Sequence, residues 1–458
     1  EKVLEVKEKN IDKYERNLIK QFFLAIKDIT PSVISHYNGE TFDWDFILKR
    51  CEMLGIDIEE RYNTSIDGND VRPYKIPTTL SDFHSIKRVE NATVKFGGET
   101  ERYTKTELWG YSNIDIIHAA KKTQAINSEI KSVGLKYICK YEGIAKENRM
   151  YVEGNNIYKI WDENKYYLIN KSNNQYKLIP DSYQDKPQDY INTLKSNLLK
   201  GKEYPYPFDR DNINNIEYVS GKYIVERYLI DDLWETEQVD LKYNEASFLL
   251  AKLVPTTYER ITTMGSAAVW KLIMTAWSYD NELAVPIPDP DKDPFSGGLA
   301  RAYNIGFAEN IRKLDFAGLY PSLQITYDIF PSVDVTNALK RILTYLLDTR
   351  NKFKKLSNDD SLSKADRSFY KTKQLPLKIL NNSLFGALGS GIAFPWGETV
   401  VSAQITCAGR LHLRKMIDYF IGYNFKPILA VTDGVNFAIP SVVYKDIEGN
   451  IVEEGIDV

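Results

Sequence analysis

The chain has 458 residues, 43% of them hydrophobic and 27% charged, with 59 Lys and Arg against 63 Asp and Glu. That apolar share supports packed cores and excludes wholesale disorder, and the length predicts about three domains of roughly 150 residues. No run of about 18 uncharged apolar residues occurs, so no membrane-spanning helix is expected. Cys51, Cys139 and Cys407 are too scattered for a disulfide framework or a zinc cluster and fit a reducing, intracellular compartment. The net charge of −4 argues against an all-over basic nucleic-acid coat but allows a local basic groove around acids. The sequence opens at Glu1 without a Met, shows no apolar signal core, and stops at Val458 after a strand-like run, so it reads as a piece of a longer protein. Its 31 Tyr and abundant Asn, Lys and Ile suit an AT-rich genome, such as that of a phage or other mobile element in a bacterial host.

Helical spacing of Ile19, Phe22, Phe23 and Ile26 predicts a helix over 1–30. Ser32–Ser35 reads as a short strand. Asp43–Leu54 returns to helical spacing, with Phe46, Ile47, Cys51 and Leu54 apolar. Two helices are expected at Ile116–Ala120 and Ile130–Tyr141. Runs at Tyr151–Val152, Ile157–Trp161 and Tyr166–Ile169, broken by turn residues, predict an antiparallel meander over about 149–180. The polar, Pro-bearing stretch 170–215 reads as loop-rich. Helical patterns resume over Tyr223–Leu253, and Pro286–Pro290 is the clearest linker. A strand follows at Ala308–Asp315, then two long helices at Leu339–Leu356 and Phe369–Phe385, and another at Val400–Phe420. Pro427–Pro440 alternates around Asp433-Gly434, a hairpin signal.

Four short stretches carry chemistry. Asp315 ends a strand ahead of the small turn Phe316-Ala317-Gly318-Leu319-Tyr320-Pro321-Ser322, where a carboxylate can hold a hard cation and backbone N–H groups can meet an anion. Asp433 lies at a hairpin tip, from which it could meet Asp315 and share two Mg²⁺ ions about 3.5–4 Å apart. On the second long helix Lys378, Asn382 and Phe385 share a face. On the first, Arg350 and Lys354 are one turn apart, and with Lys378 they can hold a triphosphate by charge-assisted bonds. Taken singly, each has a plain structural explanation: a strand-end Asp, a hairpin turn, a solvated helix face.

Together, in this order and spacing, they resemble family B DNA polymerases. Asp315–Ser322 resembles motif A (D-x-x-S-L-Y-P-S), with Gly318 for the usual Ser. Lys378–Gly386 resembles motif B (K-x3-N-S-x-Y-G), with Phe385 for Tyr. Val431–Gly434 resembles motif C (D-T-D-S), with Val431 for the first Asp and Gly434 for Ser. Upstream, Tyr37–Asp43 resembles the second proofreading-exonuclease motif (N-x3-F-D), and Tyr228–Asp232 the third (Y-x3-D). Phe295–Gly298 resembles the Y-x-G-G segment between exonuclease and polymerase. The resemblance spans about residues 18–440.

The resemblance implies a multidomain α/β and α+β chain. Residues 1–250 would be a 3′–5′ exonuclease domain of RNase-H-like fold, with the β-rich insertion at about 149–180. Residues 251–335 would be linker and first part of the palm, 336–388 helical-hairpin fingers, and 389–458 the second part of the palm, whose antiparallel sheet carries Asp315 and Asp433. The first exonuclease motif (D-x-E) and the thumb are absent, and 142–222 is longer than the family needs. The short Asp315–Lys378 and Gly386–Asp433 intervals leave no room for the insertions of protein-primed members, so a nucleic-acid primer is expected.

The implied reaction is template-directed DNA synthesis, with attack of the primer 3′-hydroxyl on a dNTP. Asp315, Asp433 and the Phe316 carbonyl would hold two Mg²⁺, with Mn²⁺ as a substitute. Amides of Phe316, Ala317, Gly318 and Leu319 would cradle the triphosphate, with Arg350, Lys354 and Lys378 neutralising it. Asn382 would position it, Phe385 would pack on the nascent pair, and Tyr320 would lie under the sugar. Asp43, Tyr228 and Asp232 would serve the exonuclease, Asp43 and Asp232 as metal ligands. Expected partners are primer–template DNA, dNTPs, a processivity factor and other replication proteins, with no membrane. The competing reading is a DNA-binding replication scaffold that has lost catalysis, suggested by Val431 and the missing segments. Retention of Asp315, Asp433, Arg350 and Lys378 counts against it, since a pure binder needs no paired metal carboxylates.

Overall fold

The computed structural model describes residues 11–56, 78–80, 86–96, 99–127, 129–202, 208, 211–288, 294–439, 441–445 and 451–456. The chain divides into a first unit, Glu1–Glu245, and a second, Ala246–Val458. The first ten residues expected as helix, and Asp289, Pro290 and Pro440 of the expected linker and hairpin, lie outside the described residues.

The first unit opens with α1 (Ile11–Ile29), β1 (Val33–His36) and α2 (Asp43–Met53). Ile19 and Phe23 of α1 pack with Trp44, Cys51 and Leu54 in one core cluster. Phe46 is not on that face: it is 57% exposed and stacks on Phe42. Trp44, two residues earlier, points inward in its place and fills the space against α1. The chain continues through the antiparallel hairpin β2 (Lys87–Phe96) and β3 (Glu99–Glu107), which the periodicity does not predict because charged residues occupy both faces. Next come β4 (Ser112–Asp115), α3 (Ile116–Ile126) and α4 (Leu135–Tyr141). β4 pairs parallel to β1. Asp115 ends β4 and caps α3, its carboxylate accepting the Ile117 N–H at 3.1 Å.

Residues 149–220 depart from the expected meander. Ile157–Trp161 is helical, within α5 (Ile157–Asp162), and only β5 (Tyr166–Asn170) and β6 (Gln175–Leu178) form a hairpin. The spacing that looked strand-like also fits one helical turn, and Ile160 alone turns inward. The expected loop stretch contains α6 (Pro187–Leu199), with Pro at the first turn and Ile191, Leu194 and Leu198 buried at helical spacing. β7 (Ile216–Ser220) then returns to pair with β5, giving a β6-β5-β7 sheet closed by residues distant in sequence. The unit ends with α7 (Gly221–Tyr243). The short α8 (Glu245–Ala251) straddles the division, so the expected border at 250 falls at its far end.

The second unit holds α9 (Tyr258–Thr263), α10 (Ser266–Asp280), β8 (Ala300–Ala302), β9 (Ile311–Asp315) and α11 (Leu319–Thr326). A helical hairpin follows, α12 (Ala338–Ser357) and α13 (Lys364–Leu388), then α14 (Thr399–Ile421). β10 (Lys426–Val431) and β11 (Gly434–Ala438) complete an antiparallel sheet in the order β8-β10-β11-β9. A further pair, β12 (Ser441–Lys445) and β13 (Ile451–Ile456), lies beyond it. Asp334 accepts the N–H groups of Ala338 and Leu339 and so starts α12. Leu343, Leu380, Leu384 and Ile405 form the helical core with Trp270, whose indole donates to Ser383 Oγ at 3.0 Å. Leu413 and Ile417 of α14 back the sheet against Ala430, Val435 and Phe437. No helix among the described residues is long and apolar enough to cross a membrane.

Leu194 is 1% exposed in the small core of α6. Leu194→Ala is expected to lower the stability of the first unit by about 2–4 kcal/mol in urea unfolding. A change within about 0.5 kcal/mol, the usual size for a surface site, would mean that α6 does not pack as described.

Candidate active site

The sheet of the second unit brings two acids to one strand end. Asp315 closes β9 directly opposite Gly434 on β11, and Val431 on β10 pairs with Gly434 from the other side. The hairpin turn is therefore Thr432-Asp433, not the Asp433-Gly434 pair that the sequence suggests. The reason is steric. A Cβ at Gly434 would collide with Asp315 Oδ1, so glycine is needed in the strand to let the carboxylate lie across it. Thr432 takes the turn's positive φ of 52°, an unusual conformation for a β-branched residue.

Two short backbone bonds hold this turn. The Thr432 N–H donates to the Leu299 carbonyl at 2.7 Å, and the Asp433 N–H donates back to the Val431 carbonyl at 2.7 Å. The tight turn breaks the strand alternation that would point Val431 and Asp433 the same way. Val431 is 49% exposed. The Phe316 N–H donates to the Asp433 carbonyl at 2.8 Å, tying the segment after Asp315 to the turn. This corrects the expectation that the Phe316 amide helps cradle a triphosphate, because that donor is already engaged. Leu319 and Tyr320 open α11 after Gly318, which has φ 66° and offers no side-chain cap, so the amides of this first turn have no helical acceptor.

The Asp315 side chain is half exposed and makes an ion pair with exposed Lys313 at 3.2 Å. Such a surface pair is worth roughly 0–1 kcal/mol and leaves the carboxylate open to a stronger cation. Asp433 is partly buried. Two hard carboxylate oxygen donors at a hydrated strand end, on backbones bonded to one another, fit divalent ions.

Around them the aromatic residues converge. The Tyr320 ring packs on Phe385 with centroids 4.6 Å apart, and Phe385 meets Phe295 edge-on at 6.4 Å. A Cβ at Gly298 would lie 3.0 Å from the Tyr320 hydroxyl and 3.2 Å from Thr432, so this glycine makes room for both. Burial raises the Tyr320 pKa; nearby Asp433 adds to this and Arg410 opposes it. Arg410 was not legible as a site residue. It donates to the carbonyls of Ser296 and Gly297 at 2.7 and 2.6 Å, and Thr406 also bonds Ser296, so α14 carries the Phe295–Gly298 segment.

Of the basic residues, Arg350 lies near the turn: its Nη1 would be 3.8 Å from a Cβ on Gly318. Its Nε is buried without a partner, and burial lowers its pKa. Lys354, Lys378 and Asn382 are exposed, and Phe385 is half-buried. Ser383 turns inward to Trp270, while the neighbouring Asn381 is 1% exposed with its amide unpaired.

The exonuclease-motif residues occupy two separate networks in the first unit. Asp43 opens α2 beside Gly39 and His36. Burial raises its pKa, with His36 opposing and Asp115 reinforcing. Asp115 accepts the N–H groups of Asn38 and Glu40 and so shapes the loop before Asp43. Glu40 is buried, bonded to Thr106, Asn113 and Arg88, and burial pushes its pKa up to about 7. Tyr228 and Asp232 lie instead with Lys136 and Arg149. Burial, with Asp232 next, pushes the Tyr228 pKa up to about 12. Asp43 and Asp232 share no bonded partner, and among the described residues no three His, Cys, Asp or Glu are gathered as a metal shell.

Residues 2–138 match the model for the exonuclease domain of family B DNA polymerases, and 332–426 match that for DNA polymerase family B. The chain carries the family B DNA polymerase fold with its exonuclease domain. It is 23% identical to a DNA polymerase of Pyrococcus glycovorans over 96% of this chain and 49% of that protein. It is 23% identical to one of Archaeoglobus fulgidus over 95% of this chain and 46% of that protein. The family B DNA polymerase structure from Pyrobaculum calidifontis superposes with a TM-score of 0.59 at 16% identity, covering 93% of this chain and 47% of that one. The chain thus spans about half the length of the curated relatives it matches. The second matched span includes Arg350, Lys354, Lys378, Asn382 and Phe385 but stops short of Asp433, and Asp315 precedes it.

Gly434→Ala is expected to cost about 1–3 kcal/mol of stability, because the Asp315 carboxylate must move. Gly297 has nothing within 4 Å of its would-be Cβ, so Gly297→Ala should stay within about 0.5 kcal/mol. Equal costs for the two in urea unfolding would remove the close approach at 434 as a constraint.

Proposed function

We propose that this chain forms the catalytic part of a DNA-directed DNA polymerase that extends a nucleic-acid primer. The carrying observation is Asp315 opposite Gly434, with Asp433 in the adjoining turn and the Phe316 N–H on its carbonyl. Matches to both family models, and relatives that are themselves DNA polymerases, support the reading. In this reading the sheet is the palm, α12 and α13 are the fingers, and the first unit is associated with 3′–5′ proofreading in the full-length protein. The AT-rich residue usage points to a phage or other mobile element, working inside a host cell; the relatives named here are archaeal.

In the mechanism, Asp315 and Asp433 would hold divalent ions beside the reacting ends of primer and dNTP. When bound, such ions lower the pKa of the primer 3′-hydroxyl and stabilise the leaving pyrophosphate. Arg350 meets the triphosphate with a permanently charged guanidinium whose buried Nε lacks an acceptor. Lys354 and Lys378 add charge from exposed positions, and the N–H groups at the start of α11 donate to phosphate oxygens. Tyr320, braced by Phe385 and by the space at Gly298, presents its ring to the sugar and excludes a 2′-hydroxyl.

Asp315→Asn and Asp433→Asn should each abolish nucleotide incorporation in primer-extension assays with Mg²⁺, while primer–template affinity stays within a few-fold. Val431→Ala should be mild. Near wild-type extension by Asp315→Asn would overturn the assignment. A full-length protein inert with both Mg²⁺ and Mn²⁺ but active as Val431→Asp would favour the scaffold reading instead.

Tyr320→Ala is expected to raise ribonucleotide incorporation relative to dNTP in competition assays. Unchanged discrimination would reduce Tyr320 to core packing against Phe385.

A further inference from the structure

Arg149, in the irregular stretch between α4 and α5, has a side chain only 1% exposed. All three of its nitrogens are committed. Nε donates to Glu235 Oε1 at 2.7 Å, one Nη donates to the Asp232 carboxylate, and the other to the Met150 carbonyl. Its guanidinium lies 4.5 Å from the ring centroid of Tyr151 and 5.3 Å from that of Tyr228. The Tyr228 hydroxyl is itself bonded to Lys136 Nζ at 2.6 Å. Asp231, the neighbour of Asp232, accepts the Met150 N–H at 2.8 Å, so both backbone groups of Met150 are tied into this network.

We infer that Arg149 provides the counter-charge of Asp232 in place of a divalent ion, so that Asp232 is a structural acid in this chain and takes no metal. Three features carry this. The guanidinium sits directly on the carboxylate that a metal would need, and an arginine does not lose its charge to make way. Its departure would strand Glu235, which is 1% exposed and already has Oε2 unpaired. Removing one partner of a buried ion pair is strongly unfavourable, because the other is left uncompensated. Finally the charges balance locally. Asp231, Asp232 and Glu235 on α7 face Arg149, Lys136 and, at 3.9 Å from Asp231, Arg227. No surplus negative charge is left to draw in a doubly charged ion. Asp43 differs: the ionisable groups that act on it among the described residues are His36 and Asp115, neither of them a guanidinium.

The inference rests on reading Tyr228 and Asp232 as the third-motif pair, and its test does not involve nucleotide incorporation. The 458-residue chain is prepared with Asp315→Asn and Asp433→Asn, to silence the acids of the second unit. Bound Mn²⁺ is counted by electron paramagnetic resonance with and without Asp232→Asn. The expected result is the same number of bound ions in both; loss of one equivalent on Asp232→Asn overturns the inference. Should Asp232→Asn fail to fold, phenylglyoxal modification of the parent chain is mapped by mass spectrometry. Arg149 protected to the same extent with and without saturating Mn²⁺ supports the inference. Arg149 becoming reactive when Mn²⁺ is added overturns it, because the ion would then have displaced the guanidinium.

Discussion

The close approach of Asp315 to the backbone of Gly434 is the constraint on which the arrangement of the two acids in the second unit depends. A strand pair ordinarily keeps side chains on its two faces, away from the partner backbone. Here the partner residue has no side chain, so the carboxylate lies across it and the turn at Thr432-Asp433 follows immediately. The positive φ at Thr432 and the bond from the Phe316 N–H to the Asp433 carbonyl are consequences of that register. Shifting the strands by one residue would send Asp315 to the other face and separate it from the turn.

The acids of the two units sit in opposite electrostatic settings. Asp315 is half exposed, with one surface lysine that a ligand can replace at little cost. Asp231 and Glu235 are buried, and Asp232 shares the Arg149 guanidinium with Glu235. Buried charges need fixed partners and resist exchange, whereas hydrated ones accept ions and phosphates readily. The first arrangement suits exchangeable ligands; the second joins α7 to the segment around Met150.

Packing explains why the motif-like residues of α13 divide as they do. Ser383 faces Trp270, and Leu380 and Leu384 fill the helical core, so Lys378 and Asn382 are left facing out. Phe385 falls between these faces and is used by Tyr320, which ties the start of α11 to the hairpin. The same aromatic cluster receives Phe295, whose segment α14 holds through Thr406 and Arg410.

Local pattern was enough for the long helices α1, α12, α13 and α14, which show a sustained apolar stripe, and for the helical pattern of α7, although its buried face includes Asp231 and Glu235. It was also enough for the strand ending at Asp315 and the hairpin around Asp433. It failed at Ile157–Trp161 and at Pro187–Leu199, where short apolar runs fit both periods and the inward face is set by α7 for the first and by β7 for the second, both later in the chain. It could not tell that Gly434 opens a strand rather than closing a turn, because that depends on the Asp315 carboxylate across the ladder. Nor could it see Arg149 on Asp232 or Arg410 on the Phe295–Gly298 segment, since a charge in sequence looks alike whether solvated or buried. Residue type and spacing determined which groups are available; long-range pairing of strands and burial of charges decided which of them meet.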